Sequence, residues 1–119
     1  MLNLDTHIVL FAVRGELRPH EQTLLTRDRW SISAIVLWEL AKLRQLGRIE
    51  TDLEDRDVAG LLNQLHVWPI NLAVAIASTR LDFKGDPADE IIAATSVVHR
   101  IPLVTRDRVM RRSAIVPLA

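Results

Sequence analysis

The sequence predicts an α/β domain built on a mostly parallel central sheet. Short apolar runs of strand length, such as Leu2–Leu4 and Pro102–Thr105, alternate with longer segments carrying apolar residues at helical spacing. Helix start and stop signals bracket those segments, with Ser33 ahead of one and Gly47 behind it, and Asp86-Pro87 opening another. Polar residues follow the strand candidates directly. Strands separated by helices need crossover connections, and crossovers of that length join parallel neighbours.

Taken in order, Leu2–Leu4 reads as a first strand that stops at Asp5-Thr6, and His7–Val13 as a helix closed by Gly15. Arg29–Ser33 alternates, with Trp30 and Ile32 on one side, and Ser33 is placed to cap a helix running through Leu46 and ended by Gly47. A further helix is expected from Leu53 to His66, acidic at its start. Val67-Trp68-Pro69-Ile70 favours a strand, and Pro69, which has no N–H for a ladder, puts that strand at an edge or marks its end. Leu72–Thr79 is alanine-rich and helical, Leu81–Gly85 is a loop, and Asp86-Pro87 begins a helix through His99. Pro102–Thr105 then reads as a short buried strand and Ala114–Leu118 as a last one. No repeat or linker interrupts the chain, which is expected to form one domain over residues 1–119.

Composition narrows the function. Hydrophobic residues make up 49% of the 119 positions, enough for a self-supporting core at this size. The lack of cysteine excludes a disulfide framework, a thiolate metal site and a Cys nucleophile. No apolar run approaches the roughly 20 residues that span a bilayer, and Met-Leu-Asn-Leu-Asp is not a signal peptide. A cytoplasmic protein without membrane contact is the expectation. The 15 basic residues balance 15 acidic ones, which argues against a broadly basic nucleic-acid binder. Thirteen of the 15 are nevertheless Arg, whose planar fork suits phosphate, and five of those lie between Arg100 and Arg112.

In an open parallel sheet the functional crevice lies beyond the carboxyl ends of the strands. Four acids from separate segments fall on that rim. Asp5 ends the first strand, Asp107 follows the strand that ends at Thr105, Asp89 lies in the first turn of the helix opened by Asp86-Pro87, and Glu39 is in the second turn of the helix after Trp30. Asp5, Asp89 and Asp107 each have a structural alternative as caps or turn residues. Glu39 is harder to explain so, because its helical neighbours are Ile35, Val36, Lys42 and Leu43, an otherwise apolar stripe, and a carboxylate against a core is costly unless paired or metal-bound. Clustered carboxylates raise one another's pKa, and a hard divalent cation relieves the repulsion. Oxygen-only ligands select Mg²⁺ or Mn²⁺ over zinc, which makes metal-assisted phosphodiester hydrolysis the natural reaction class.

The runs Leu4-Asp5-Thr6-His7, Leu37-Trp38-Glu39-Leu40-Ala41 continuing to Leu46-Gly47-Arg48, Gly85-Asp86-Pro87-Ala88-Asp89 with Ile92-Ala93-Ala94-Thr95, and Pro102-Leu103-Val104-Thr105-Arg106-Asp107 resemble, in order and spacing, the PIN domain of VapC-type toxins. These are the ribonuclease halves of type II toxin–antitoxin pairs. The resemblance implies a PIN-like three-layer α/β/α fold and an endoribonuclease dependent on Mg²⁺ or Mn²⁺. It also implies a cognate antitoxin that enters the active-site groove, and frequent homodimers. It assigns Asp5, Glu39, Asp89 and Asp107 to the catalytic, metal-binding quartet, with Thr6 and Thr105 as accessory polar residues. The chain departs from many relatives in carrying Glu90 where they have Arg after the third acid, and in lacking a terminal aromatic.

Arg106, Arg108, Arg111 and Arg112 are the candidates for holding an RNA backbone. Trp30, Trp38 and Trp68 are expected in the core or a dimer contact rather than stacked on bases. The four histidines, with no i, i+4 pair, give no metal site, and Ser31, Ser33 and Ser96 lack the context of a hydrolase nucleophile. Two rival readings remain. A catalytically inactive PIN-fold binding module would share every motif, and a signalling receiver domain would need paired acids after the first strand and a late lysine, neither of which this chain has.

Overall fold

A computed structural model describes residues 1–119. Strands β1 (Leu2–Leu4), β2 (Trp30–Ser33), β3 (His66–Trp68) and β4 (Leu103–Val104) form one sheet in the order β3-β2-β1-β4. Every pairing is parallel, with Asn3 opposite both Ser31 and Leu103. Successive strand residues face opposite sides, so the burial of Leu2, Asn3 and Leu4 alike means that β1 is covered on both faces. The helices that cover it are α1 (Thr6–Arg14), α2 (Pro19–Arg27), α3 (Ala34–Gln45), α4 (Arg56–Gln64), α5 (Leu72–Ser78), α6 (Pro87–His99) and α7 (Arg108–Arg111). This is the expected α/β architecture. No helix is long and apolar enough to cross a membrane.

The core is formed by residues from every layer, including Leu4, Ile8, Ile32, Leu40, Ile92 and Leu103, all essentially inaccessible to solvent. One polar residue lies at its centre. Asn3, on the central strand, donates from Nδ2 to the Ile92 carbonyl at 3.0 Å and to Ser96 Oγ at 2.9 Å, fixing α6 to β1.

Local signals explain how the helices end. Asp5 and Ser33 cap α1 and α3, accepting from Thr6 N and Ile35 N. Gly47 adopts φ 70°, and its N–H reaches Arg44 O while that of Arg48 reaches Leu43 O, the paired bonds of a Schellman motif. Gly15 closes α1 in the same way, with φ 69° and bonds from Gly15 N to Ala12 O and from Glu16 N to Phe11 O.

Four sequence expectations are corrected. The helix expected from Leu53 begins at Arg56, because Asp55 accepts from Asp57 N and Val58 N and sets the cap there. Residues Ala114–Leu118 do not form a strand. Asp82 takes the Ser113 hydroxyl at 2.6 Å and Ala114 N at 2.7 Å, Ser113 Oγ takes the next two free N–H groups, and only an isolated bridge, Leu103 to Leu118, remains. Helix α2, absent from the sequence assignment, is opened by Pro19 and by Glu21 accepting from Arg18 N at 2.7 Å. His66, expected at the end of the helix from Leu53, begins β3 instead; of the tryptophans, Trp30 donates to Leu25 O, Trp68 stacks on His99 with ring centroids 3.9 Å apart, and Trp38 is 56% exposed.

Replacing Asn3 by Ala removes two buried hydrogen bonds and leaves space at the centre of the sheet. The expected loss is about 2–3 kcal/mol of unfolding free energy, measured by urea denaturation. An unchanged midpoint would show that Asn3 does not hold α6 to the sheet.

Candidate active site

The strand order creates the site. From β1 the chain proceeds outward through β2 to β3, then returns to the other side of β1 to lay down β4. The connections leaving β1 and β4 therefore diverge at the carboxyl rim, the topological switch point where α/β sheets open a crevice. Asp5 leaves β1 there, and Thr105, Arg106 and Asp107 leave β4.

A cleft of about 390 Å³ occupies this position, lined by Asp5, His7, Phe11, Glu39, Asp86, Asp89, Arg106 and Asp107. All four acids singled out in the sequence thus share one cleft. Three are held. Asp5 accepts from Thr6 N at 2.8 Å and from the Thr105 hydroxyl at 2.6 Å. Thr105 Oγ in turn accepts from Asp107 N at 3.0 Å, so one hydroxyl ties the ends of β1 and β4 together. Glu39 accepts from the Thr6 hydroxyl. Asp107 caps α7, its Oδ1 accepting from Val109 N at 2.8 Å and Met110 N at 3.0 Å. Thr6 and Thr105 therefore both touch the acids, as the resemblance implied.

Asp89, in the first turn of α6, is half-buried and has no hydrogen-bond partner. Its pKa is pushed up to about 7, first by burial and then by the charges of Asp5, Glu39, Asp107 and Asp86. Burial also raises Asp5, against the lowering effect of its bonds from Thr105 and Thr6. Asp86 is a fifth acid that sequence reasoning left as a helix cap. It occupies the N-cap position of α6 but makes no cap bond with its side chain, which lines the cleft instead. Its spacing of three residues from Asp89 is the signal that could have found it, since such pairs share a helix face.

The arginines are distributed differently from expectation. Of the four candidates, only Arg106 lines the cleft. Its Nε and Nη2 donate to the buried Glu21 carboxylate at 2.9 and 2.7 Å, Nη2 also reaches Glu16 O, and Cζ lies 3.7 Å from the Phe11 ring centroid. Arg106 in return holds Glu21 well below the usual carboxylate range, at about 2. Arg111 donates to Thr105 O, while Arg108 and Arg112 are exposed outside the cleft. Eighty-five positions separate Glu21 from Arg106, and nothing local in the sequence signals their pairing.

The five carboxylates of the cleft would suit a hard divalent cation, and their charges add to burial in raising Asp89. No three acidic or histidine side chains are gathered around a single ion position.

Comparison with known proteins agrees with this construction. The family model for the PIN domain matches residues 3–116. This chain belongs to the PIN-domain family. Ribonuclease VapC22 of Mycobacterium tuberculosis strain H37Rv is 35% identical to this PIN domain over 96 residues, covering 76% of this chain and 72% of that protein. In fold, the PIN domain resembles chains in two crystal structures. One is VapBC2 from Rickettsia felis bound to a DNA fragment from their promoter, with TM-score 0.74 and 19% identity over 100% of this chain and 98% of that one. The other is DNA-bound VapBC from Salmonella typhimurium, with TM-score 0.74 and 22% identity over 99% and 96%. Membership in this family removes the receiver-domain alternative.

The raised Asp89 has a consequence for stability. Between its ordinary pKa of 3.8 and about 7, the unfolded chain has released this proton while the folded one retains it. The contribution of Asp89 to stability therefore declines as pH rises through that window and levels off above it. In EDTA, Asp89→Asn is expected to melt above the wild type at about pH 8, with the gap closing towards about pH 4. Thermal denaturation across that range checks this, and a gap independent of pH would contradict it.

Proposed function

We propose that this PIN domain is the toxin component of a type II toxin–antitoxin module, an endoribonuclease that hydrolyses RNA phosphodiester bonds with Mg²⁺ or Mn²⁺ held by Asp5, Glu39, Asp89 and Asp107. The observation that carries the reading is the convergence of these four carboxylates, from four separate elements, on the cleft at the switch point of the sheet. The named ribonuclease relative supports the reaction class. The toxin–antitoxin structures of similar fold support a cognate antitoxin as partner. A homodimer accords with the exposed apolar surface at Trp38 and Ile70.

The chain's own residues divide the work. Thr6 and Thr105 fix the Asp5 and Glu39 carboxylates, so that part of the ligand set is oriented before any ion arrives. Asp107 is fixed by the first turn of α7. Asp89 is the adjustable member: with a pKa near 7 it carries a proton in part of the population at neutral pH and gives it up when a cation compensates its neighbours. A bound divalent ion would supply an activated water and offset the negative charge that develops on the phosphodiester. The pair of Glu21 and Arg106 braces Phe11 and with it the wall of the cleft.

Purified protein incubated with mixed cellular RNA is expected to cleave it in Mg²⁺ and not in EDTA. Asp5→Asn and Asp89→Asn are each expected to lower kcat by about 100-fold or more, the scale of losing several kcal/mol of charge stabilisation. Cleavage that survives EDTA and both substitutions would overturn the metal mechanism. RNA binding without cleavage, including of tRNA and rRNA, would establish the binding-module alternative.

A further inference from the structure

An RNA strand that approaches this site meets a repulsive surface. Five carboxylates line the cleft, and its single guanidinium, Arg106, is committed through Nε and Nη2 to Glu21. A polyanion held over such a centre needs unpaired cations nearby, on a surface continuous with it.

One such surface adjoins the acidic cleft. A second cleft of about 440 Å³ shares His7, Phe11, Glu39 and Asp86 with the first and is otherwise lined by Leu10, Arg14, Leu43, Arg48 and Ile49. The two clefts form one groove that is acidic at the sheet rim and basic at its far end. Helices α1 and α3 make its walls. Both start at the rim, where Asp5 and Ser33 cap them, and both end in the Schellman motifs of Gly15 and Gly47. Those turns carry Arg14, in the last turn of α1, and Arg48, immediately after Gly47, to the same end of the groove. At 1.5 Å per residue, Thr6–Arg14 spans about 12 Å, which sets Arg14 at the end of α1 opposite the rim where Asp5 caps it. Neither side chain makes an ion pair, both are exposed, and the cleft they line also presents the apolar side chains of Leu10, Phe11, Leu43 and Ile49. Guanidinium groups beside apolar side chains suit the alternating phosphates and bases of a single strand.

We propose that Arg14 and Arg48 form a phosphate-binding subsite for single-stranded RNA, holding the strand a few nucleotides from the bond that is cleaved. This rests on the ribonuclease reading and adds to it where the substrate lies. The subsite supplies uniform binding: it holds the strand equally before and during reaction, so its loss raises KM and leaves kcat close to that of the wild type.

The test uses the whole protein and a fluorescent single-stranded RNA of mixed sequence. Anisotropy is measured in EDTA over a salt series, and steady-state cleavage in Mg²⁺. The double variant Arg14→Ala/Arg48→Ala is compared with Arg27→Ala/Arg56→Ala, which removes the same charge from exposed positions outside the groove. The subsite predicts that the groove variant binds roughly tenfold more weakly, and that its slope of log affinity against log salt is shallower by about 0.7 for each phosphate no longer neutralised. It also predicts an increase in KM with kcat retained, and a control pair near wild type. Equal losses in both pairs would show general charge attraction and overturn the subsite, as would unchanged affinity and KM in the groove variant. Unchanged RNA affinity with lost binding of the cognate antitoxin would reassign the groove to a protein partner. A wild-type protein that neither binds nor cuts RNA would bring down the ribonuclease reading itself, whereas a wild type that cuts RNA beside an unaffected groove variant would remove the subsite alone.

Discussion

The site depends on one hydroxyl. Thr105 donates to Asp5 and accepts from the N–H of Asp107, joining the ends of the two strands between which the crevice opens. The bond spans 100 positions of sequence and is buried, in surroundings where a polar group left unpaired costs about 1–3 kcal/mol. With Asp5 also accepting from Thr6 N, and Thr6 holding Glu39, a short chain of hydrogen bonds fixes carboxylates from α3 and from both strand ends against one another. The repulsion between them is then borne by the sheet and its core rather than relieved by side chains swinging apart. Asp89, which lacks such a bond, has its pKa raised first by burial and then by that repulsion.

Net charge conceals this arrangement. A sum of zero suggests a protein indifferent to polyanions, yet five of the 15 acids meet in one cleft at the rim of the sheet, whose single guanidinium is paired with Glu21. Glu21 and Arg106 illustrate how one charge can serve structure within a functional cleft. The guanidinium lies against Phe11 and satisfies a buried carboxylate, and so shapes the wall of the cleft. Partners close in space decide which guanidinium groups remain free.

Much of the fold was legible because its signals are local. Ser33, Gly47 and Asp86-Pro87 mark helix ends through their own backbone preferences, and the quartet followed from placing acids on the rim of a parallel sheet. What was missed required partners distant in sequence. Helix α2 has little apolar periodicity, and Glu21 within it is buried only because Arg106 meets it there. The apolar tail Ala114–Leu118 has the composition of a strand, but Asp82 takes its first N–H group and Pro117 has none to give. Aliphatic neighbours leave Trp38 open to the core or to a dimer contact, and the helix turns it outward beside Ile70. Asp86 was read as a cap because capping is what an Asp before Pro ordinarily does, and only the absence of that bond reveals its side chain in the cleft.

If the clustered carboxylates exist to hold a divalent cation, Asp89 must yield its proton when the ion arrives. Calorimetric titration of the protein with Mn²⁺ slightly below neutral pH, repeated in buffers of different ionisation enthalpy, counts the protons exchanged. Binding is expected with a net release approaching one proton per site, shrinking well above pH 7, and abolished with binding itself in Asp5→Asn/Asp89→Asn. Binding without proton release, or of undiminished strength in the double variant, would contradict this role for the cluster.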